Sequence, residues 1–205
     1  MGETAIPEHL HIEITYTKRE LEQDMSKYAR YASDAKPGKG HQRLAALVGT
    51  WQSTTVVTPE GMPPATLKGE SKFTSLMEGR YFEESFEGDD EAKKHPFHTP
   101  QKIILGYDNA KGNYQMVVYR QSGWNTHFEL YEGRYESELK ATVIYSRYWD
   151  AVNDRWVGIK FIRHDPVTKD GVETMKAEGL FDFEGVKKFT PAWTTTYTRK
   201  VAKDE

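Results

Sequence analysis

The chain has 205 residues, with 28 Lys and Arg against 31 Asp and Glu and a formal net charge of −3. Its basic residues are scattered singly, which leaves no electrostatic footprint for nucleic acid, and without cysteine it has neither disulfides nor thiolate chemistry. No apolar run approaches the roughly 20 residues of a membrane helix, and Met1–Glu8 lacks the basic and apolar regions of a secretory signal, so the expectation is a soluble cytoplasmic protein that engages neither membrane nor nucleic acid.

Residues 1–40 read as an extension. His11–Tyr16 alternates like a short strand. Thr17-Lys18-Arg19-Glu20 has the form of a capping box, and Leu21, Met25, Tyr28, Ala29 and Ala32 follow at helical spacing, which predicts an amphipathic helix over 18–33. Lys36-Pro37-Gly38-Lys39-Gly40 then reads as a linker. The extension suits a lid, an arm for a homodimer, or a helix packed on the wall of the domain that follows at 41–205.

From Trp51 onward the pattern is strand, turn, strand. Strands are predicted at 50–58, 66–76, 80–87, 101–107, 113–120, 124–134, 140–149, 155–164, 172–183 and 192–201. Turn residues punctuate them, as in Pro59-Glu60-Gly61, Asn109-Ala110-Lys111-Gly112 and Lys169-Asp170-Gly171. The longest non-strand stretch is the acidic insertion 88–100. Sequential antiparallel strands of this number close into a barrel, which removes exposed edges. The fold class expected is all-β: a single ten-stranded antiparallel up-and-down barrel preceded by a helix. With 12 Tyr, 9 Phe and 5 Trp, it has many side chains that offer an apolar body and a polar tip to a cavity wall.

Alternation assigns faces. Lys68, Glu70 and Lys72 point out, so Leu67, Gly69, Ser71 and Phe73 point in. Lys176 and Glu178 point out, so Met175, Ala177 and Phe181 point in. Trp193, Thr195, Tyr197 and Arg199 share one face of the last strand.

The segment Leu44-Ala45-Ala46-Leu47-Val48-Gly49-Thr50-Trp51 runs from an apolar helical turn into the first strand, and Tyr197-Thr198-Arg199-Lys200 ends the last. In this the chain resembles lipocalin-type barrels, where a Trp on the first strand closes the floor and an Arg of the last strand stacks on it. Trp51 and Arg199 are the corresponding structural pair. The wider match is to the bacterial family named domain of unknown function 1579, of the lipocalin-like, calycin-type barrels. It is carried by His41–Trp51, Gly69, Glu78-Gly79-Arg80-Tyr81, Leu105-Gly106-Tyr107-Asp108, Lys111–Tyr114 and Thr196-Tyr197-Thr198-Arg199, and covers about 41–200. The chain departs from the family pattern at Val117-Val118-Tyr119-Arg120-Gln121. The resemblance implies a barrel whose interior either packs solid, as an interaction module, or holds one small molecule, and it implies no particular activity.

No nucleophile elbow, phosphate loop, dinucleotide fingerprint or zinc spacing is present, and no metal and no cofactor are expected. His9 and His11 read as a chance pair, and Pro96 places His95 and His98 in a loop. His127, in Asn125–Tyr131, has two readings. With Phe128 and Leu130 outside, His127 and Glu129 point into the cavity, where a neutral imidazole is a base or a haem ligand. With Phe128 and Leu130 in the core, it faces solvent. His164 of Arg163-His164-Asp165 is the second candidate for haem, at a polar strand end. Glu84 is a candidate interior carboxylate that needs a cationic partner, Arg120 or Arg163. The predicted ligand lining is Phe73, Tyr81, Tyr107, Tyr119, His127, Tyr145, Met175 and Tyr197. The leading expectation is a barrel binding a small hydrophobic or aromatic molecule. The alternatives are an enzyme that isomerises or cyclises such a molecule with His127, Tyr119 and Glu84 as acid–base groups, and a haem-binding barrel.

Overall fold

A computed structural model describes residues 35–59, 61–120, 128–151 and 153–200, together with residue 29. The predicted strand 11–16 and helix 18–33 therefore lie outside the described residues, apart from Ala29, as do His9, His11 and His127. Two short α-helices lie within the described stretches from residue 35 onward, α1 (Lys39–Ala45) and α2 (Asp90–Lys94). The strands are β1 (Gly49–Val57), β2 (Ala65–Leu76), β3 (Tyr81–Gly88), β4 (Gln101–Asp108), β5 (Asn113–Arg120), β6 (Glu129–Glu136), β7 (Ala141–Asp150), β8 (Arg155–His164), β9 (Val167–Lys169), β10 (Val172–Asp182) and β11 (Thr190–Arg199). Nine of these begin and end within two residues of the predicted bounds. β6 starts at Glu129 rather than 124, and β9 was not predicted. Among the described residues no helix is long and apolar enough to cross a membrane.

Each strand pairs antiparallel with its successor from β1 to β8. β10 then pairs with β8, β11 with β10, and β11 returns to β1. The result is a closed ring of ten strands, with β9 a short hairpin partner of β10 outside it. The three-residue β9 has no apolar alternation of its own, which is why the sequence pattern did not mark it. The ring closes on the register Trp51↔Arg199, Ser53↔Tyr197 and Met175↔Tyr197.

One end of the ring is sealed. α1 lays Leu44 and Leu47 across it, both buried, and the chain enters β1 at Gly49. Trp51 is wholly buried, and its indole Nε1–H donates to the Leu47 carbonyl at 2.8 Å. The Arg199 guanidinium lies over the indole ring at 4.1 Å. Its Nη1 donates to the Val48 carbonyl at 2.6 Å, its Nη2 to the Ala46 carbonyl at 2.7 Å, and its Nε pairs with Glu173 on β10. The carbonyls left open at the end of α1 are thus satisfied by a charged fork rather than by water. Gly49 makes the geometry possible. Its φ is +135°, and a Cβ there would come within 2.5 Å of Arg199 Nη1.

Above this floor the inward side chains pack together. Trp51, Phe73, Phe82, Leu105, Met116 and Ile144 form the centre of one apolar cluster, each side chain contributing roughly 1.5–3 kcal/mol of burial.

Arg199→Ala removes a cation–π contact and two carbonyl hydrogen bonds at once and leaves Glu173 unpaired. We expect a loss of about 2–4 kcal/mol in stability, measured by urea unfolding. Arg199→Lys should recover only part of it, because an ammonium cannot bridge both carbonyls.

Candidate functional site

Strand pairing fixes which side chains point into the barrel. On β3 they are Phe82, Glu84 and Phe86, on β5 Tyr114, Met116, Val118 and Arg120, and on β6 Glu129, Tyr131 and Tyr135. Across the Gly133↔Ile144 and Ile144↔Phe161 pairs, β7 turns Thr142, Ile144, Ser146 and Tyr148 inward, and β8 turns Val157, Ile159, Phe161 and Arg163 inward.

Two inward Glu–Arg–Tyr groups result. In the first, Glu84 forms an ion pair with Arg163 and accepts from the Tyr197 hydroxyl at 3.0 Å. All three are buried, with the Arg163 side chain 6% exposed. Arg163 also lies 5.3 Å over the Phe73 ring and 5.1 Å over the Phe161 ring. Of the two arginines expected as partners for Glu84, the fold selects Arg163. A cavity of about 30 Å³ lies beside it under α1, bounded by Leu44, Leu47, Tyr114, Ile144 and Phe161. That is room for a water or two, not for an aromatic ligand.

The second group lies at the other end. Glu129 pairs with Arg120 and accepts from the Tyr131 hydroxyl at 2.5 Å. Arg120 Nε donates to Gln101 Oε1 at 3.0 Å. Glu129 is buried, but the Arg120 side chain is 28% exposed, several times more than Arg163. Half-buried aromatic rings stand around this pair. Tyr148 packs against Phe181 at 6.2 Å, Phe181 against Trp193 at 5.5 Å and against Phe183 at 5.4 Å. Trp193 lies flat on the wall because Gly179 is beneath it, where a Cβ would come within 2.1 Å of the indole. This end, at which the β5–β6 connection 121–127 lies outside the described residues, is opposite α1 and is called the mouth below.

The predicted lining residues divide. Phe73, Met175 and Tyr197 face inward but in the packed floor, where Tyr197 meets the Phe73 ring at 6.2 Å and the Trp51 ring at 6.5 Å. Tyr107 faces inward beneath α1, 4.8 Å from Tyr114 and 5.7 Å from His41. Three tyrosines correct the expectation. Tyr81 and Tyr119 alternate with the inward residues of their strands and so point outward, Tyr119 against Phe128 at 6.0 Å. Tyr145 is on the outer face, 45% exposed, with Lys160 over its ring. Phe128 and Leu130 are exposed and Glu129 is buried, so the reading that put Phe128 and Leu130 in the core is overturned. His127 itself lies outside the described residues. His164 points outward and hydrogen-bonds Glu178 at 2.9 Å, so it offers no nitrogen to the interior. His95 accepts from the Phe97 amide at 3.2 Å, and His98 packs over Gly88. Among the described residues no cluster of His, Asp and Glu forms a metal site.

Tyr148 and Gln101 were missed. A signal for Tyr148 existed. The short turn at 151–154 sets Asp150 opposite Arg155, and from inward Ile159 and Phe161 the alternation carries across to Tyr148 rather than Tyr145.

Burial, then the neighbouring Glu84 carboxylate, pushes the Tyr197 phenol far above its ordinary value, and burial with Glu129 does the same to Tyr131. Both phenols are held neutral in the fold. A raised pKa in the folded state gives stability that is complete below the unfolded value near 10 and is lost as pH rises above it. Unfolding midpoints should therefore fall above pH 10, and Tyr197→Phe or Tyr131→Phe should flatten that decline while costing about 1 kcal/mol at neutral pH. Glu84→Gln and Arg163→Met should each destabilise by about 3–5 kcal/mol, and the double variant by less than the sum, because each single change leaves an uncompensated buried partner.

The profile of the family described as protein of unknown function, DUF1579, matches residues 36–199. No curated protein matches the chain. Among solved structures, the chain is similar to Rv2717c from M. tuberculosis, with 13% identity, 81% of this chain and 100% of that chain covered, and a TM-score of 0.54. At that identity the likeness is one of fold.

Proposed function

Because the chain belongs to the DUF1579 family, whose description assigns no activity, we propose its function from the barrel alone: it binds one small, largely apolar or aromatic molecule in the open mouth. The observation that carries this is the contrast between the ends. The floor is packed to within a water or two of solid, while the mouth leaves inward-facing Tyr148, Phe181 and Trp193 half in water beside Glu129 and Arg120. Apolar surface held open on rigid strands gains roughly 25 cal/mol per Å² when a ligand covers it, and convergent polar groups at its base orient that ligand.

The enzyme alternative loses the grouping of two of its three assigned residues, the third, His127, lying outside the described residues. Tyr119 is on the outer wall, and Glu84 is locked to Arg163 and Tyr197 in the floor, so the two share no cavity. The haem alternative loses His164 to the outer face.

Reverse calorimetric titration with 2-ethylnaphthalene as the probe should give one saturable site. Trp193→Leu should weaken it by roughly tenfold, through loss of ring contact and area. If neither this hydrocarbon nor its carbonyl analogue binds saturably, the proposal fails.

A further inference from the structure

The mouth is rich in hydrogen-bond donors, and its two carboxylates are already engaged, Glu129 by Arg120 and Tyr131, Asp150 by Asn153 and Arg155. Gln101↔Arg120 is a direct register pair, and continuing the β6–β7 register past Glu132↔Tyr145 sets Tyr148 opposite Glu129. Gln101, Arg120, Glu129 and Tyr148 thus follow one another round the inner wall on β4, β5, β6 and β7. Arg120 has only donors. Its Nε goes to Gln101 and its Nη1 to Glu129, and the guanidinium also reaches the Tyr131 hydroxyl, so its five N–H groups outnumber these three partners. Arg120 donating to Gln101 Oε1 fixes the orientation of that amide, so the Gln101 Nε2 group is a donor too, without an acceptor among the described residues. The Tyr148 hydroxyl also donates to no described residue. The one carboxylate of the group, Glu129, already receives Arg120 on one oxygen and Tyr131 on the other.

Resting on the proposed binding at this mouth, we infer that the ligand is an apolar or aromatic molecule bearing an uncharged carbonyl oxygen, which accepts from the Arg120 guanidinium, Gln101 Nε2 and the Tyr148 hydroxyl. An acceptor is required because donors desolvated without one cost affinity. The acceptor is uncharged because Glu129 already compensates Arg120. A carboxylate entering here would be a second anion beside one arginine, desolvated and only half paired. A ligand cation would find Glu129 already occupied. Burial and the carboxylates of Asp150 and Glu129 hold the Tyr148 phenol protonated, the donating form.

The test is a matched set on one ring system: 2-acetylnaphthalene, 2-ethylnaphthalene, 2-naphthoate and 2-naphthylmethylamine, titrated into the full chain at neutral pH. The expected result is a Kd for the ketone at least about tenfold below those of the hydrocarbon, the acid and the amine, the size of one well-made hydrogen bond. Tyr148→Phe should narrow the ketone-to-hydrocarbon ratio to about threefold or less. A second variant, Arg120→Gln with Glu129→Gln, should narrow it further without leaving a charge unpaired, and thermal unfolding confirms that either variant is folded. A hydrocarbon that binds as tightly as the ketone, or an acid or amine that binds more tightly, overturns the inference and leaves a binding mouth. Absence of binding by all four overturns both.

Discussion

The barrel depends on the contacts of one side chain. Arg199 is the last residue of the last strand, and it reaches β1 through the Trp51 ring, β10 through Glu173, and the end of α1 through the Ala46 and Val48 carbonyls. A sheet of ten strands has two edges until its first and last strands pair, and open edges invite pairing with other chains. Arg199 stands where that closure is made and ties it to the floor helix. The same fork that closes the ring therefore also closes one end. Once that end is shut by Leu44, Leu47 and Trp51, the proposed binding has only the opposite end to use.

The two Glu–Arg–Tyr groups show how burial alone separates structure from function. Their chemistry is the same: a carboxylate that takes an arginine on one oxygen and a phenol on the other. In the floor, Glu84, Arg163 and Tyr197 are enclosed by Phe73 and Phe161, and every change to them is paid in folding stability. In the mouth, Arg120 is part-exposed, so the Glu129 group meets water, and under the proposed binding it exchanges that water for ligand. A buried ion pair gives little net stability over apolar packing. Two of them in one small barrel are better understood as fixing orientation. Glu84 and Arg163 join β3 to β8 across the interior, and Glu129 holds Arg120 at a set angle in the mouth.

Much of this was legible in the sequence. The turns and alternation of β1, β2, β5 and β8 gave their bounds, because each has one polar face and one apolar face, and Trp51 with Arg199 marked the point of closure. The face of β7 was not legible. In Ala141-Thr142-Val143-Ile144-Tyr145-Ser146-Arg147-Tyr148-Trp149-Asp150 both faces carry apolar residues, and Ala141, Val143 and Ile144 are all buried although Val143 and Ile144 point to opposite sides. A strand apolar on both faces carries no register of its own, and that ambiguity put Tyr145 in the cavity in place of Tyr148. Tyr81 and Tyr119 were misplaced for a related reason. Abundance of tyrosine says that a cavity wall is affordable in composition, and only pairing says which tyrosines stand on it. Glu84 and Glu129, by contrast, could be placed as interior acids only with their arginines, and those partners are 79 and 9 residues distant in sequence.

Fold likeness at 13% identity carries the barrel from one protein to another and leaves the contents of the barrel open. What distinguishes this chain is the order of side chains round its mouth, and that order follows from strand pairing. Gln101, Arg120, Glu129 and Tyr148 all face inward near the same end of neighbouring strands, with Asp150 beyond Tyr148 on β7, so the ring of ten strands gathers them on one wall. Opposite them β10 and β11 bring Phe181 and Trp193, the latter seated on Gly179. A polar wall faces an apolar wall across the mouth, and under the proposed binding this asymmetry favours a molecule with two unlike sides. Its body must displace water from the rings while its oxygen replaces water on the donors. A purely apolar ligand satisfies only the first requirement, and a purely polar one only the second.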